Sequence, residues 1–171
     1  MRRWIFTLTG LLLFVLVAFQ PAQAQPGGRQ VLVLQADGPL TPAMAQYLER
    51  GLRIAEQRGA EALVFQLNTP GGSVDLMGEM VAMIRASEVP VLVYVAPRGA
   101  MAGSAGTVIT LAGHVAAMAP ETAIGAASPV GSQGEDLGET IETKLKESLR
   151  AQVRALAARR GPEAMALAEA T

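Results

Sequence analysis

The 171-residue sequence contains no cysteine, a single histidine and only two lysines. Each scarcity removes a class of chemistry. Without cysteine there is no disulfide framework and no thiolate to act as nucleophile or soft metal ligand, so stability has to come from packing. One histidine, His114, falls short of a zinc site, which generally needs several His, Cys or carboxylate ligands converging. A basic field is missing too. The net charge of -1 and the pI near 5.9 give polyanions nothing to follow, and no nucleic-acid partner is expected.

What is present begins with the features of an export signal. Arg2 and Arg3 precede an almost wholly apolar run over residues 5–19, and Ala22-Gln23-Ala24 places small residues at the alternate positions that signal peptidase accepts. The apolar run is a few residues short of the roughly 20 needed to span a bilayer. Residues 1–24 are therefore expected to be a signal peptide cut between Ala24 and Gln25. This would put the protein on the non-cytoplasmic side of the cell membrane, periplasmic or extracellular. Residues 25–171 have the size of one domain with a real core.

Within that domain the run Val31-Leu32-Val33-Leu34 is apolar on both faces, as for a strand buried inside a sheet. Thr41 as N-cap, Pro42 in the first turn, the stripe Met44, Leu48, Leu52 and Ala55, and Gly59 as terminator predict a helix. A strand over 62–67 runs into the turn Asn68-Thr69-Pro70-Gly71-Gly72. A helix follows over 74–87, and Pro90 ends it before a third apolar strand over 91–95. This βαβαβ order predicts an α/β fold with a parallel sheet and flanking helices.

Beyond a stretch of small residues over 98–105, a buried helix is expected to about His114, then short strands over 115–118 and 123–124. Residues 128–139, rich in Gly, Ser and acids, are expected to be a loop. Residues 140–160 read as a helix with Ile141, Leu145, Leu149, Val153 and Leu156 on one side, broken at Gly161-Pro162. Residues 163–171 look like the start of another helix without a cap. The domain is thus expected to be C-terminally incomplete.

The candidate chemistry centres on Ser104, a lone hydroxyl among Gly99, Ala100, Ala102, Gly103, Ala105 and Gly106, between a strand and a helix start. A helix N-terminus has free amide N–H groups and the positive dipole end, which suit an oxyanion; a plain N-cap serine has the same sequence signature. With Ala102 in the first glycine's place, the segment is not a strict G-x-S-x-G elbow. Gly71 and Gly72 leave strand two at the carboxyl edge of the sheet, where their amides are able to face Ser104. His114 fails as the base on distance, since ten helical residues span roughly 15 Å. Lysine is the remaining strong base, acting when an apolar setting favours its neutral form. On the helical wheel Lys146 lies nearer the apolar stripe than Lys144, and spacing leaves both open.

At these residues the sequence resembles the N-terminal protease domain of NfeD-type proteins, membrane-bound relatives of ClpP with a crotonase-like fold. The resemblance rests on four ordered blocks: Leu67 to Gly72; Ala96 to Ala100 followed by Ser104-Ala105-Gly106-Thr107; Ala116 to Pro120; and Ile124 to Ala127. It implies a membrane-associated serine endopeptidase with Ser104 as nucleophile and an oxyanion hole from Gly71, Gly72 and Ala105. The family's helix register, matched at Val153-Arg154-Ala155-Leu156-Ala157, implies Lys144 as base. Where ClpP relatives carry a histidine, this sequence has Gly125-Ala126-Ala127-Ser128, which fits a serine–lysine dyad. The resemblance further implies hydrophobic segments of stomatin-like membrane proteins as substrate or partner, a homodimer or higher oligomer, and no metal or other cofactor. Membrane attachment would then come through transmembrane and OB-type parts that are absent here. An inactive scaffold binding the same partners, or a signal-peptide-peptidase-like protease, are the alternative readings.

Overall fold

The computed structural model describes residues 28–125, 139–158, 160–162 and 164–166, with the backbone alone at 139–142, 144 and 145. The expected leader and all but the last residue of the expected 128–139 loop lie outside the described residues. The elements run β1 (Val31–Asp37), α1 (Pro42–Gln57), β2 (Ala62–Asn68), α2 (Val74–Ala86), β3 (Val91–Val95), β4 (Met101–Gly103), α3 (Ala105–Ala112), β5 (Val115–Met118), β6 (Ala123–Gly125) and α4 (Glu139–Ala157). The main sheet has the order β1-β2-β3-β5 with every pair parallel, and β4 and β6 form a second, two-stranded parallel sheet.

Helix boundaries follow their local chemistry. Thr41 caps α1 by accepting the Met44 N–H, with Pro42 in the first turn. Ser73 caps α2 in the same way through Leu76, with Asp75 at the positive end and Arg85 at the negative end of the helix. On the sheet, the register aligns Leu34 with Phe65 and Val93, and Ala36 with Leu67 and Val95. These rows form one core with Leu48, Met80, Ile84, Val108 and Ile109 from the helices. Phe65, Leu63, Leu67, Val91 and Val93 are fully buried, each worth about 1.5–3 kcal/mol against an exposed position.

Three expectations change. The β1 run is not buried on both faces: β1 is an edge strand, and Val31 and Val33 are 53% and 54% exposed. Val33 lines up with Val64, Leu92 and Val115 in an apolar row on the face opposite the core. Strand β4 was hidden because Met101-Ala102-Gly103 is too short and too small to show a period; it is held by pairing with β6, with only Ala102 reaching the core. Finally, α4 begins by Glu139 and ends at Ala157, short of residue 160. Arg160 instead turns back to donate from Nε to the Leu111 carbonyl at 3.1 Å and from Nη2 to the Gly113 carbonyl.

His114 is a structural residue at the start of β5. Its Nδ1 accepts the Val91 N–H at 3.1 Å, tying the first residue of β3 to the neighbouring strand. Desolvation, then repulsion from Arg85 and Arg160, lowers its pKa below 6.5. The folded state therefore binds fewer protons than the unfolded chain, and His114 costs stability as pH falls below about 6.5. Urea titrations at stepped pH are expected to show a midpoint that declines from pH 7 to 5, with His114→Gln flattening that slope.

Candidate active site

The Leu67-to-Gly72 segment builds the floor of the site by making side chains serve as backbone partners. The Asn68 side chain donates to Asp37 at the end of β1, and its Oδ1 accepts the Met101 N–H at the start of β4. Thr69 is fully buried and bridges to Ala102, with its N–H donated to Met101 O and its carbonyl accepting the Gly103 N–H. One short stretch thus fastens β1, β2 and β4 together.

Ser104 stands where β4 turns into α3. Its backbone lies at φ 48° and ψ -119°, a positive-φ conformation that costs a non-glycine residue about 1–3 kcal/mol. Although it occupies the N-cap position, its side chain makes no capping hydrogen bond. The hydroxyl is therefore not spent on the helix. This is a strained strand-to-helix turn of the kind a G-x-S-x-G segment makes, formed without the first glycine of that pattern. Ala102 fits because it has no more than a methyl group to place, whereas a Cβ on Gly106 would lie 2.6 Å from Thr69 Cγ2.

The strained turn is clamped from β6. Ser104 donates its N–H to Gly125 O at 2.8 Å, and the Gly125 N–H is accepted by Thr107 Oγ1, also at 2.8 Å. The fully buried Thr107 hydroxyl shares its proton between the Ala102 and Gly125 carbonyls.

Both glycine amides were expected to face Ser104, and the structure divides them. A Cβ on Gly71 would lie 2.8 Å from Ser104 Cβ and 3.4 Å from the Ala105 nitrogen, so this residue borders the hydroxyl directly. Its φ of 117° also requires glycine. Yet the Gly71 N–H is already donated to Thr69 Oγ1 at 3.0 Å. The Gly72 amide has no partner among the described residues, and the residue is exposed. The Ala105 N–H opens α3, where no intrahelical acceptor exists.

The two lysines lie on α4. Lys144 falls in its second turn, and its side chain is outside the described residues; Lys146 is half-buried. His114 sits at the far end of α3 from Ser104, engaged with Val91. Among the described residues no cluster of three His, Asp or Glu is arranged to hold a metal ion.

The sequence family described as NfeD1b, N-terminal domain, matches residues 30–171. The chain belongs to this family. Over 136 residues this NfeD1b-type domain is 41% identical to the membrane-bound protease PH1510 of Pyrococcus horikoshii, covering 78% of this chain and 31% of that protein. It spans less than a third of the length of the curated relatives it matches. Among solved structures it superposes on the 1510-N membrane-bound stomatin-specific protease, determined both as a serine-to-alanine variant and as a lysine-to-alanine variant in complex with a substrate peptide. The TM-score is 0.74 in both cases, at 36% and 37% identity, covering 84% of this chain and 70% and 66% of those chains. ClpP1 from Listeria monocytogenes matches with a TM-score of 0.63 at 18% identity, covering 74% of this chain and 72% of that one. The NfeD1b-type domain thus has the ClpP-like α/β fold.

Thr107→Val keeps the shape of the side chain but strips the Gly125 N–H of its acceptor. We expect a loss of about 1–3 kcal/mol in urea unfolding, with Thr107→Ser, which keeps the hydroxyl, recovering most of it.

Proposed function

We propose that the domain is a serine endopeptidase that cuts hydrophobic segments of membrane proteins, stomatin-like proteins among them, with a serine–lysine dyad. The observation that carries this reading is Ser104 itself: a serine held at φ 48°, excused from capping its helix, with Gly71 against it. The family and the stomatin-specific protease activity of the 1510-N relatives, solved as serine and lysine variants and with a substrate peptide, support it.

In this reading Ser104 Oγ attacks the peptide carbonyl and passes its proton to the lysine amine. The tetrahedral oxyanion is met by the N–H groups of Gly72 and Ala105, while Gly71 lets the substrate come close and its own amide steadies the turn through Thr69. Collapse expels the amine, which takes the proton back, and water then hydrolyses the acyl-enzyme. Lys144 is the base assigned by family register. Support for a lysine from this helix comes from length. Arg160, three residues past the end of α4, is anchored at the C-terminal end of α3. Counted from the end of α4 at Ala157, Lys146 and Lys144 lie 11 and 13 residues back, roughly 17 and 20 Å along the helix, against about 12 Å for α3. The helix is long enough to carry either lysine past the level of Ser104.

Incubation with a peptide from a stomatin-like C-terminal tail tests the assignment. Wild type is expected to cleave it, Ser104→Ala to lose at least on the order of a thousandfold in rate, and Lys144→Ala about 10²–10⁴-fold. Activity retained in Lys144→Ala and lost in Lys146→Ala would move the base to Lys146. No cleavage by wild type would leave a scaffold that binds the same partners.

We further propose export and self-association. Export is supported by the basic start, the apolar run over residues 5–19 and Ala22-Gln23-Ala24. Self-association is supported by the open apolar row of Val33, Val64, Leu92 and Val115. Sedimentation equilibrium is expected to give a dimer or larger species that Val33→Lys with Val115→Lys reduces to monomer. A monomer at every concentration in wild type would overturn it.

A further inference from the structure

At the end of α3 remote from Ser104, a cleft of about 430 Å³ is lined by Arg85, Leu111, Gly113, His114, Ala155, Leu156 and Arg160. Its polar chemistry is one-sided. Arg85 comes from the last turn of α2, His114 from the residue before β5, and Arg160 from the segment after α4. Among the described residues no acidic side chain lines the cleft, and Arg85 has no salt-bridge partner.

Two of the three groups are also oriented. Arg160 spends Nε and Nη2 on the Leu111 and Gly113 carbonyls, which fixes its guanidinium plane and leaves Nη1. His114 accepts the Val91 N–H on Nδ1, so the neutral ring carries its proton on Nε2 as a donor. Arg85 and Arg160 line the same cleft, and Arg160 and His114 are both pushed toward their uncharged forms, by desolvation first and then by repulsion from Arg85. A doubly charged oxyanion relieves that repulsion and accepts several of these N–H groups at once, the geometry in which arginine binds phosphate well. Leu111, Ala155 and Leu156 provide an apolar wall beside the charges, suited to a short organic stem.

We propose that this cleft binds a phosphate-type oxyanion, free or carried on a lipid headgroup, between Arg85, His114 and Arg160. The site is separate from the Ser104 site and does not depend on the protease reading.

The test uses the full chain. Inorganic phosphate, compared with chloride at matched ionic strength, is expected to raise Tm by a few degrees, about 3–5 °C near saturation. Arg85→Gln is expected to weaken phosphate at least tenfold in titration calorimetry while leaving circular dichroism unchanged, and Arg53→Gln, on α1, to have no effect. Co-sedimentation with phosphatidic acid vesicles, against phosphatidylcholine vesicles, separates the sources. Retention that Arg85→Gln diminishes identifies a lipid headgroup, and an Arg85-dependent response to phosphate without such retention identifies a free phosphate. If neither probe distinguishes Arg85→Gln from wild type, or if Arg53→Gln weakens binding equally, the proposal is overturned.

Discussion

A serine at φ 48° does not stay there on its own account. Relaxing to an ordinary N-cap would release backbone strain and gain a capping bond of the kind Thr41 and Ser73 both make. Two buried threonines prevent this from opposite sides. Thr69 holds the Gly71 N–H and, through its own backbone, both ends of β4. Thr107 holds Gly125 in place, and the Gly125 carbonyl in turn accepts the Ser104 N–H. The strain is therefore confined to a residue whose neighbours on both sides are fixed by buried or part-buried hydrogen bonds. Such bonds are costly to break because their partners would be left buried and unpaired.

The parallel sheet makes this arrangement affordable at the scale of the domain. β1, β2, β3 and β5 align Leu34, Phe65 and Val93, and behind them Ala36, Leu67 and Val95, into rows that the helices cover. That burial offsets a strained turn of about 1–3 kcal/mol many times over before chain entropy is counted. The sheet also fixes where the strain goes. β2 ends at Asn68 and β4 begins at Met101, and the Asn68 amide joins the two, so the Pro70-Gly71-Gly72 turn is delivered against Ser104.

How much of this was legible in the sequence differs between residues for physical reasons. The main strands and first three helices were readable because apolar periodicity, Thr41 and the Gly and Pro punctuation all reflect local preferences. Ser104 was visible as a lone hydroxyl among small residues, but a capping serine and a strained one have the same neighbours in sequence and differ only in φ. The pairing that creates the strain was out of view. β4 has three residues with no period, and its partners, Thr69 and β6, lie far away along the chain. The division of labour between Gly71 and Gly72 was equally hidden, since it turns on one hydrogen bond from a threonine that reads as an ordinary turn residue. The two lysines were left open by spacing for a related reason. A helical wheel reports the face a residue occupies on its own helix, not the distance to a group on another.

Helix α3 links the two ends of the molecule. Its N-terminus presents the Ala105 amide and the positive dipole end beside Ser104, where in the proposed reaction negative charge develops on a substrate oxygen. The same dipole leaves unpaired carbonyls at the other terminus, and Arg160 meets those of Leu111 and Gly113. A cation there stabilises the whole helix, and with it the turn that strains Ser104. In doing so it brings a guanidinium beside Arg85 and His114, so that neutralising the helix end creates an excess of positive charge in the cleft behind it. One eight-residue helix, buried along its full length, thus gives opposite electrostatic characters to its two ends: bare amides at one, and at the other carbonyls already covered by the Arg160 guanidinium. Anions would be drawn to both, to the first as a transient charge on a substrate oxygen and to the second as a resident ligand.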